Sequence, residues 1–300
     1  MLFALVILLA TGLSGVHAVA VSTAPGTRPL WLAVPPFVPL PPAPPVRARP
    51  TGLVSIAATG DLAPDVDIPA ELRRALRADL TTGSLRGPVA PGLRTAGFTT
   101  INGYGAGVTP VEVRGIRIAV LGFSFNSGSH SITDLTAAKR AVTAAAADAD
   151  LVVVHAQMGA PGRYRTVPGA ELHRGVNRGD PVRFAHAVVD AGADLVLGHG
   201  TGVLRGMEFH RGRLIAYSLG TFTAAGPRSG RYAASGVLRV TLYATGAWAG
   251  GTFTPTRPDR AGRPVTDRTA LGLRLVGELS AADFPASGPV VGETGRLSGG

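Results

Sequence analysis

The stretch that decides the fold is DPVRFAHAVVDAGADLVLGHG, residues 180–200. Its first part, Asp180–Gly192, has apolar residues at helical spacing and ends at a glycine, which is typical of an amphipathic helix with a glycine cap. Its second part, Ala193–Gly200, is an apolar run that predicts a buried strand ending at His199. A helix that leads directly into a buried strand favours an α/β fold.

The same pattern recurs upstream. ADLVVVHA, Ala149–Ala156, predicts a second buried strand that carries His155, and it follows an alanine-rich helix predicted over Asp134–Asp148. LVSIAATGD, Leu53–Asp61, predicts a third apolar strand that ends in Gly-Asp. Strands that alternate with helices in this way indicate one α/β domain.

Two hairpins interrupt this alternation. Val111–Ser124 turns at Arg114-Gly115, and Met207–Gly220 turns at Arg211-Gly212. Hairpins between helix-linked strands predict a mixed sheet, or two sheets packed face to face. The remaining predicted elements are a helix over Pro69–Leu80, a short strand over Phe98–Asn102, a late β region from Val237 and a final strand and helix within Leu273–Phe284.

The composition excludes some chemistry and leaves other classes open. The 300 residues include no cysteine, which excludes disulfides, thiolate zinc sites, iron–sulfur clusters and cysteine nucleophiles. The net charge of +10 comes almost entirely from arginine, because Lys139 is the one lysine. The densest groups, Arg47–Arg49, Arg73–Arg74 and Arg257–Arg263, are short and lack interleaved aromatic residues. We therefore favour a solvated basic surface over a nucleic-acid site, while attraction to an anionic polymer or acidic lipid stays open.

The first fifty residues differ from the rest. Residues 1–23 begin with the apolar run MLFALVILLA and continue to small residues, which predicts an export signal or membrane anchor. A buried N-terminal helix is the alternative. Residues 24–50 are proline-rich and predict an extended spacer, and residues 51–300 then form the globular domain. We expect an exported protein of the cell envelope or exterior that touches the membrane only through this N-terminal segment.

Three apolar strands end in a potential metal ligand: Asp61, His155 and His199. The carboxyl ends of strands are where ligands gather in α/β sheets. One carboxylate and two imidazoles could hold a divalent ion that activates water or polarises a phosphoryl oxygen. A hydrogen-bonded structural role for each residue is the alternative.

Gly52 to Phe222 resembles the CapA family of poly-γ-glutamate capsule synthesis proteins. The resemblance rests on four stretches: ATGD at Ala58–Asp61, Gly105–Ser124, LVVVHAQMG at Leu151–Gly159, and above all Arg183–Phe222. It implies a calcineurin-like metallophosphoesterase fold, a sandwich of mixed β-sheets flanked by helices. It also implies a role in the synthesis or attachment of a capsule or cell-envelope polymer, with the capsule synthesis machinery or the anionic polymer as partner.

The motifs that hold metal in this family are degenerate here. Its Asn-Leu-Glu is Ser84-Leu85-Arg86, its Asn-Asn-His is reduced to Asn102, its Gly-His-His-Pro-His is Gly198–Gly202 (GHGTG), and a late Asn is Thr221. The ligands that the resemblance leaves for Mn, Zn or Fe are Asp61, His155, His199 and Asn102.

Two functions follow as hypotheses. The first is a metal-dependent, metallophosphoesterase-like hydrolase or transferase of envelope polymer. The second is a non-catalytic relative that binds an anionic wall polymer or a protein partner. Arg86 replaces a carboxylate and is expected to contact an anionic substrate. His173 follows His155 in a polar loop that could overhang the strand ends, and we include it as a substrate contact; a solvated loop is the alternative.

Overall fold

The computed structural model describes residues 18–21, 30–33, 51–63, 68–85, 98, 100–102, 107–126 and 130–299. The chain divides into two compact units, residues 1–48 and 49–300. In the first unit, Ala18–Val21 (β1) and Leu30–Ala33 (β2) pair as antiparallel strands. The rest of the predicted export signal and spacer lies outside the described residues. Within the described ranges, every helix is too short or too polar to span a bilayer.

The second unit contains two large sheets and one small hairpin. The strands of the first sheet are Leu53–Leu62 (β3), Leu80–Leu85 (β4), Thr100–Asn102 (β5), Ser235–Tyr243 (β14), Trp248–Pro258 (β15), Pro264–Thr266 (β16), Val290–Val291 (β17) and Arg296–Ser298 (β18). Their order is β17-β18-β15-β14-β3-β4-β5, with β16 paired to β15. The strands of the second sheet are Val108–Val113 (β6), Ile116–Ser124 (β7), Leu151–Gln157 (β8), Leu195–His199 (β11), Met207–His210 (β12) and Arg213–Ala216 (β13). Their order is β12-β13-β11-β8-β7-β6. Leu172–His173 (β9) and Val176–Asn177 (β10) form the hairpin.

The helices flank the two sheets. They are Arg73–Leu76 (α1), which continues a 3-10 turn at Ala70–Leu72, Leu135–Asp148 (α2), Pro181–Asp190 (α3) and Leu271–Asp283 (α4), and a further 3-10 turn lies at Gly230–Ala233. Apolar residues of both sheets, among them Ile56, Val153, Leu197 and Val240, share one buried cluster between them. A second cluster joins the outer face of the six-stranded sheet to α2 and α3, and a third joins the outer face of the eight-stranded sheet to α1. The predicted sandwich of mixed sheets flanked by helices is confirmed.

Local signals explain where several elements begin and turn. Asp134 and Asp180 cap α2 and α3 by accepting hydrogen bonds from the backbone N–H of the residue three positions on. Both predicted hairpins have positive φ at their two central residues: 50° and 76° at Arg114-Gly115, and 50° and 72° at Arg211-Gly212. Such turns match the twist of paired strands, so the predicted hairpins are confirmed.

Two predicted elements are wrong. The helix predicted over Pro69–Leu80 ends at Leu76, because the Asp79 carboxylate accepts hydrogen bonds from the backbone N–H and hydroxyl of Ser55, at 2.8 and 2.7 Å. That contact places Leu80 beside Ile56 as the first residue of β4. The strand predicted near Leu273 belongs to α4, whose buried residues include Leu275, Val276 and Leu279 at helical spacing.

Asp194 gives the fold a specific pH dependence. Its Oδ2 accepts a hydrogen bond from the backbone N–H of Val152 at 2.9 Å, and its Oδ1 lies 3.4 Å from Nη2 of Arg213. Burial raises the pKa of Asp194 to about 6, against the hydrogen bond from Val152 and the charge of Arg213, which lower it. The pKa in the folded protein lies above the unfolded value of 3.8, so the free energy of unfolding falls as the pH rises from about 4 to about 6.

We therefore expect Asp194→Asn to stabilise the protein at pH 8 by about 3 kcal/mol and to change little at pH 4. The amide oxygen can still accept from Val152, and no buried charge remains. Urea unfolding at both pH values measures the difference. Asp134→Asn, at the exposed cap of α2, is the matched control and should show no such pH dependence. A loss of stability in Asp194→Asn at pH 8 would contradict the prediction.

Candidate functional site

The site lies between the two sheets, where strands change from apolar to polar on their inner faces. In β8, Val153 belongs to the core between the sheets, and His155 and Gln157 follow on the same face at a period of two residues. In β11, Leu197 is in the same core and His199 follows it. The parallel register sets His199 beside Gln157 and Leu197 beside His155. Three polar side chains therefore enter the sandwich at the carboxyl edge of the six-stranded sheet.

The eight-stranded sheet contributes the facing residues. Leu80 of β4 is in the core between the sheets, and Thr82 and Ser84 continue its face. Asp61 of β3 pairs with Ser84, but a register shift between Ala58 and Asp61 adds one residue to β3. Such a bulge turns the following side chain to the other face of the sheet. It directs Asp61 towards the interior, where its backbone N–H also donates to the carbonyl of Gly220 at 2.8 Å.

Four of these side chains form a continuous polar line across the two sheets. Oγ1 of Thr82 lies 2.9 Å from Nε2 of His155, and Nδ1 of His155 lies 2.9 Å from Nε2 of His199. Nδ1 of His199 is 3.4 Å from Oδ1 of Asp61, without forming a hydrogen bond to it. The two imidazole rings are nearly parallel, at 12°. Thr82, His155 and His199 are almost fully buried, while 13% of the Asp61 side chain is exposed.

One assignment of the ring protons of His155 and His199 satisfies the hydrogen bonds of the line. Burial and the neighbouring His199 hold the pKa of His155 well below its usual value, so this ring is neutral. A proton on Nδ1 of His199 faces the Asp61 carboxylate, which leaves Nε2 of His199 to accept from Nδ1–H of His155. Nε2 of His155 then accepts from the hydroxyl of Thr82. In this arrangement the lone pair of each ring is directed at a donor.

The three predicted ligands whose side chains the structure describes, Asp61, His155 and His199, do not fit a single metal ion in this arrangement. Ligands of one ion direct their lone pairs at one point, whereas His199 lies between His155 on its Nε2 side and Asp61 on its Nδ1 side. Two imidazole nitrogens on a tetrahedral zinc would lie about 3.3 Å apart, and the 2.9 Å between His155 and His199 is a hydrogen-bond distance. In the described part of the chain, no three His, Asp or Glu side chains are grouped to hold an ion.

A second set of contacts surrounds this line. Nε2 of Gln157 donates to Oγ of Ser84 at 2.8 Å, so this contact joins the two sheets at this edge, as the contact between Thr82 and His155 does. The backbone N–H of Gly200 lies 3.3 and 3.2 Å from the two oxygens of Asp61. Gly200 has a φ of +93°, and a Cβ there would lie 2.4 Å from Oε1 of Gln157, so glycine is required.

A buried arginine borders the site. Arg178 donates from Nε to the carbonyl of Gly159 at 3.1 Å, and its guanidinium lies 3.5 Å from the centre of the Phe125 ring. Its Nη2 lies 3.5 Å from the carbonyl oxygen of Gly200. The guanidinium of Arg178 therefore lies beside the polar line and gives this part of the site a positive charge.

Of the other predicted site residues, the structure describes the side chain of His173 alone. Asn102 pairs with Ser84 in parallel register, so its backbone lies along the same sheet edge, while its side chain is outside the described part. Arg86 also lies outside the described residues. His173 is half-buried in the β9–β10 hairpin, and within the described ranges no hydrogen bond joins it to Asp61, His155 or His199.

Sequence reasoning missed Thr82, Gln157 and Arg178. The first two could have been found, because Thr82 shares a face of its strand with Leu80, and Gln157 lies two residues after His155. Arg178 gave no such signal, since it follows the short hairpin and reaches the site only through the fold.

Comparison with known proteins shows similarity to a family over part of the chain. The family described as "Bacterial capsule synthesis protein PGA_cap" matches residues 91–225, which include His155 and His199 and begin after Asp61 and Ser84. "Capsule biosynthesis protein CapA" of Bacillus anthracis is 31% identical over 125 residues, which are 37% of this chain and 28% of that protein. The chain thus matches less than a third of the length of that relative.

Solved structures give further similarities. A hypothetical protein from Thermus thermophilus has a TM-score of 0.39 and 18% identity, over 71% of this chain and 96% of that one. A 5'-nucleotidase precursor from the same organism has a TM-score of 0.36 and 14% identity, over 68% of this chain and 54% of that one. The family match over residues 91–225 and the curated relative together show that this part of the chain is similar to the CapA family of bacterial capsule synthesis proteins.

Proposed function

We propose that the chain acts in the synthesis or attachment of a capsule or cell-envelope polymer by binding the polymer or its synthesis machinery, without metal-dependent catalysis at the strand ends. The family match and the relative named for capsule biosynthesis support the polymer role. An anionic polymer of the poly-γ-glutamate type is the substrate that we infer. The apolar run at the N-terminus supports export to the cell envelope.

One observation carries the non-catalytic part of this proposal. His199 has His155 at one ring nitrogen and Asp61 at the other, so the three predicted ligands form a line and not a shell around one point. From the facing sheet, Thr82 contacts His155 at the end of this line, and Ser84 accepts a hydrogen bond from Gln157 beside it. Because these contacts join the two sheets, they support a structural role for residues that resemble metal ligands.

The test is the metal content of the purified full chain after incubation with Mn²⁺, Zn²⁺ or Fe²⁺ and dialysis. We expect less than about a tenth of an equivalent of each metal at the site, since an ion needs several deprotonated ligands directed at one point. We also expect no metal-dependent hydrolysis of a phosphodiester such as bis(p-nitrophenyl) phosphate.

A control separates this site from a surface pair of histidines. The rings of His186 and His210 stack at 3.9 Å and are partly exposed, so they could retain zinc by themselves. Metal that disappears in His186→Ala/His210→Ala belongs to that pair. One equivalent of metal that persists in that variant, together with hydrolysis that His199→Ala abolishes, would overturn the proposal and restore the hydrolase.

A further inference from the structure

Two basic segments that are far apart in sequence meet on one surface of the fold. The 3-10 turn Ala70–Leu72, directly before Arg73 and Arg74, packs against β16. The backbone N–H of Thr266 in β16 lies 3.4 Å from Oε1 of Glu71 in that turn. Two of the three arginine groups that the sequence presents as separate are therefore neighbours.

The arginines of this surface are exposed. We define the basic surface as Arg73 and Arg74 with Arg257, Arg260 and Arg268, all of which are exposed. Across the described ranges, no carboxylate forms an ion pair with any of these five side chains. Arg263, in the same hairpin, differs because Asp259 holds it at 2.9 Å.

A cavity lies within the basic surface. It has a volume of about 390 Å³ and is lined by Glu71, Arg257, Val265, Thr266, Arg268 and Thr269. The two guanidinium groups outnumber the single carboxylate among its lining residues. A volume of this size accommodates a carboxylate or phosphate group together with the adjoining part of a chain.

The β15–β16 hairpin, which carries Arg257 and Arg260, is held in a fixed position. Its turn docks through the backbone N–H of Ala224, which donates to the carbonyl of Gly262 at 3.0 Å. A Cβ at Gly262 would lie 1.8 Å from the carbonyl oxygen of Ala224, so this close approach requires glycine. The adjoining Thr223 donates its N–H to the carbonyl of Asp61 at 3.2 Å. The basic surface is thereby connected to the loop that leaves the candidate site, and its arginines start from a pre-organised backbone.

We propose that the basic surface binds a linear polyanion that carries repeated carboxylate or phosphate groups, with the cavity between Arg257 and Arg268 holding one of these groups. Guanidinium pairs with both groups in a bidentate manner, and several arginines in a row match a repeating charge. The lining residues include no aromatic side chain on which a base could stack, which disfavours single-stranded nucleic acid. The proposal rests on the proposed function for the choice of polymer, and it names the surface that the polymer contacts.

The experiment measures binding of the full chain to fluorescent poly-L-glutamate at about 50 mM salt, where exposed charges are weakly screened. We expect Arg257→Glu/Arg268→Glu to weaken binding about tenfold or more, and Arg73→Glu/Arg74→Glu to weaken it severalfold. Arg140→Glu/Arg183→Glu makes the same change in net charge on exposed residues of α2 and α3, and it should stay within about twofold of the wild type. Thermal unfolding of each variant confirms that it is folded.

Equal losses in all three variants would show a general charge effect and overturn the proposal, as would unchanged binding in Arg257→Glu/Arg268→Glu. If only one of the pairs Arg257/Arg268 and Arg73/Arg74 weakens binding, the two segments do not form one binding surface. Polyphosphate in place of poly-L-glutamate tells whether the natural group is phosphate, and preference for an oligonucleotide of equal charge would contradict the inference. Binding is measured with chelator present, so a failure here is separate from the metal result that tests the proposed function.

Discussion

Glu171→Gln is expected to lower the free energy of unfolding by about 3–5 kcal/mol, because it leaves a buried arginine without its counter-ion. Arg205 donates from Nη1 and Nη2 to the two oxygens of Glu171, at 2.8 and 2.7 Å, and both side chains are buried. Oε2 of Glu171 also accepts from the backbone N–H of Ala160 at 2.6 Å. The pair thus fixes the segment after β8, which leads to Arg178.

Glutamine matches the shape of Glu171 but removes its charge and replaces one acceptor with an NH2 donor, so the measurement reports the loss of the charge together with one hydrogen bond to Arg205. Urea unfolding at pH 7 is the readout, and a decrease in melting temperature on the order of 10 °C should accompany it. Arg263→Gln breaks the exposed pair with Asp259 and is the matched control, with an expected cost of about 1 kcal/mol or less. A similar small cost for Glu171→Gln would mean that water reaches the Arg205 guanidinium.

Most of the sandwich could be predicted from the sequence because its elements have strong local patterns. Asp134 and Asp180 begin their helices, and Arg-Gly pairs mark both hairpins, so few residues decide each boundary. The helix predicted to Leu80 was wrong because a contact distant in sequence, between Asp79 and Ser55, competes with helical hydrogen bonds. Local propensity carries no information about such a partner.

The candidate site could be predicted only in part, for a similar reason. His155 and His199 continue the apolar faces of their strands, so their direction follows from a period of two residues. In β3 the even-numbered residues face the core, so strict alternation would turn Asp61 outward. A bulge that the sequence does not predict turns it inward. The order of the groups along the line, with His199 in the centre, depends on side-chain angles, and a strand pattern does not determine these.

The basic surface could not be predicted from the sequence, because it forms only when two arginine groups meet in the fold. Arg73–Arg74 and Arg257–Arg263 are short groups in sequence, and each alone is typical of a solvated surface. Their proximity depends on β16 packing against the turn before α1, which is a tertiary contact. A charge pattern along the chain therefore underestimated the size of the basic surface.

His155→Leu is the substitution that best separates a structural line from a metal centre. It removes the hydrogen bonds to Thr82 and His199 and leaves two buried polar groups with one partner fewer. We expect it to lower the free energy of unfolding by about 2–4 kcal/mol. The decrease should be the same with and without EDTA, and EDTA should leave the melting temperature of the wild type unchanged.

The two roles of His155, metal ligand and member of the hydrogen-bonded line, predict different effects of a chelator. A metal ligand stabilises the protein through an ion, so a chelator would destabilise the wild type and leave His155→Leu, which has already lost the ion, unaffected. A member of a hydrogen-bonded line stabilises through Thr82 and His199 themselves, so the chelator has nothing to remove. His173→Leu makes the same change at a residue without a hydrogen bond to this site and should cost less than about 0.5 kcal/mol. If EDTA lowers the melting temperature of the wild type and not that of His155→Leu, the residues from Asp61 to Thr82 form a metal centre and our interpretation is wrong.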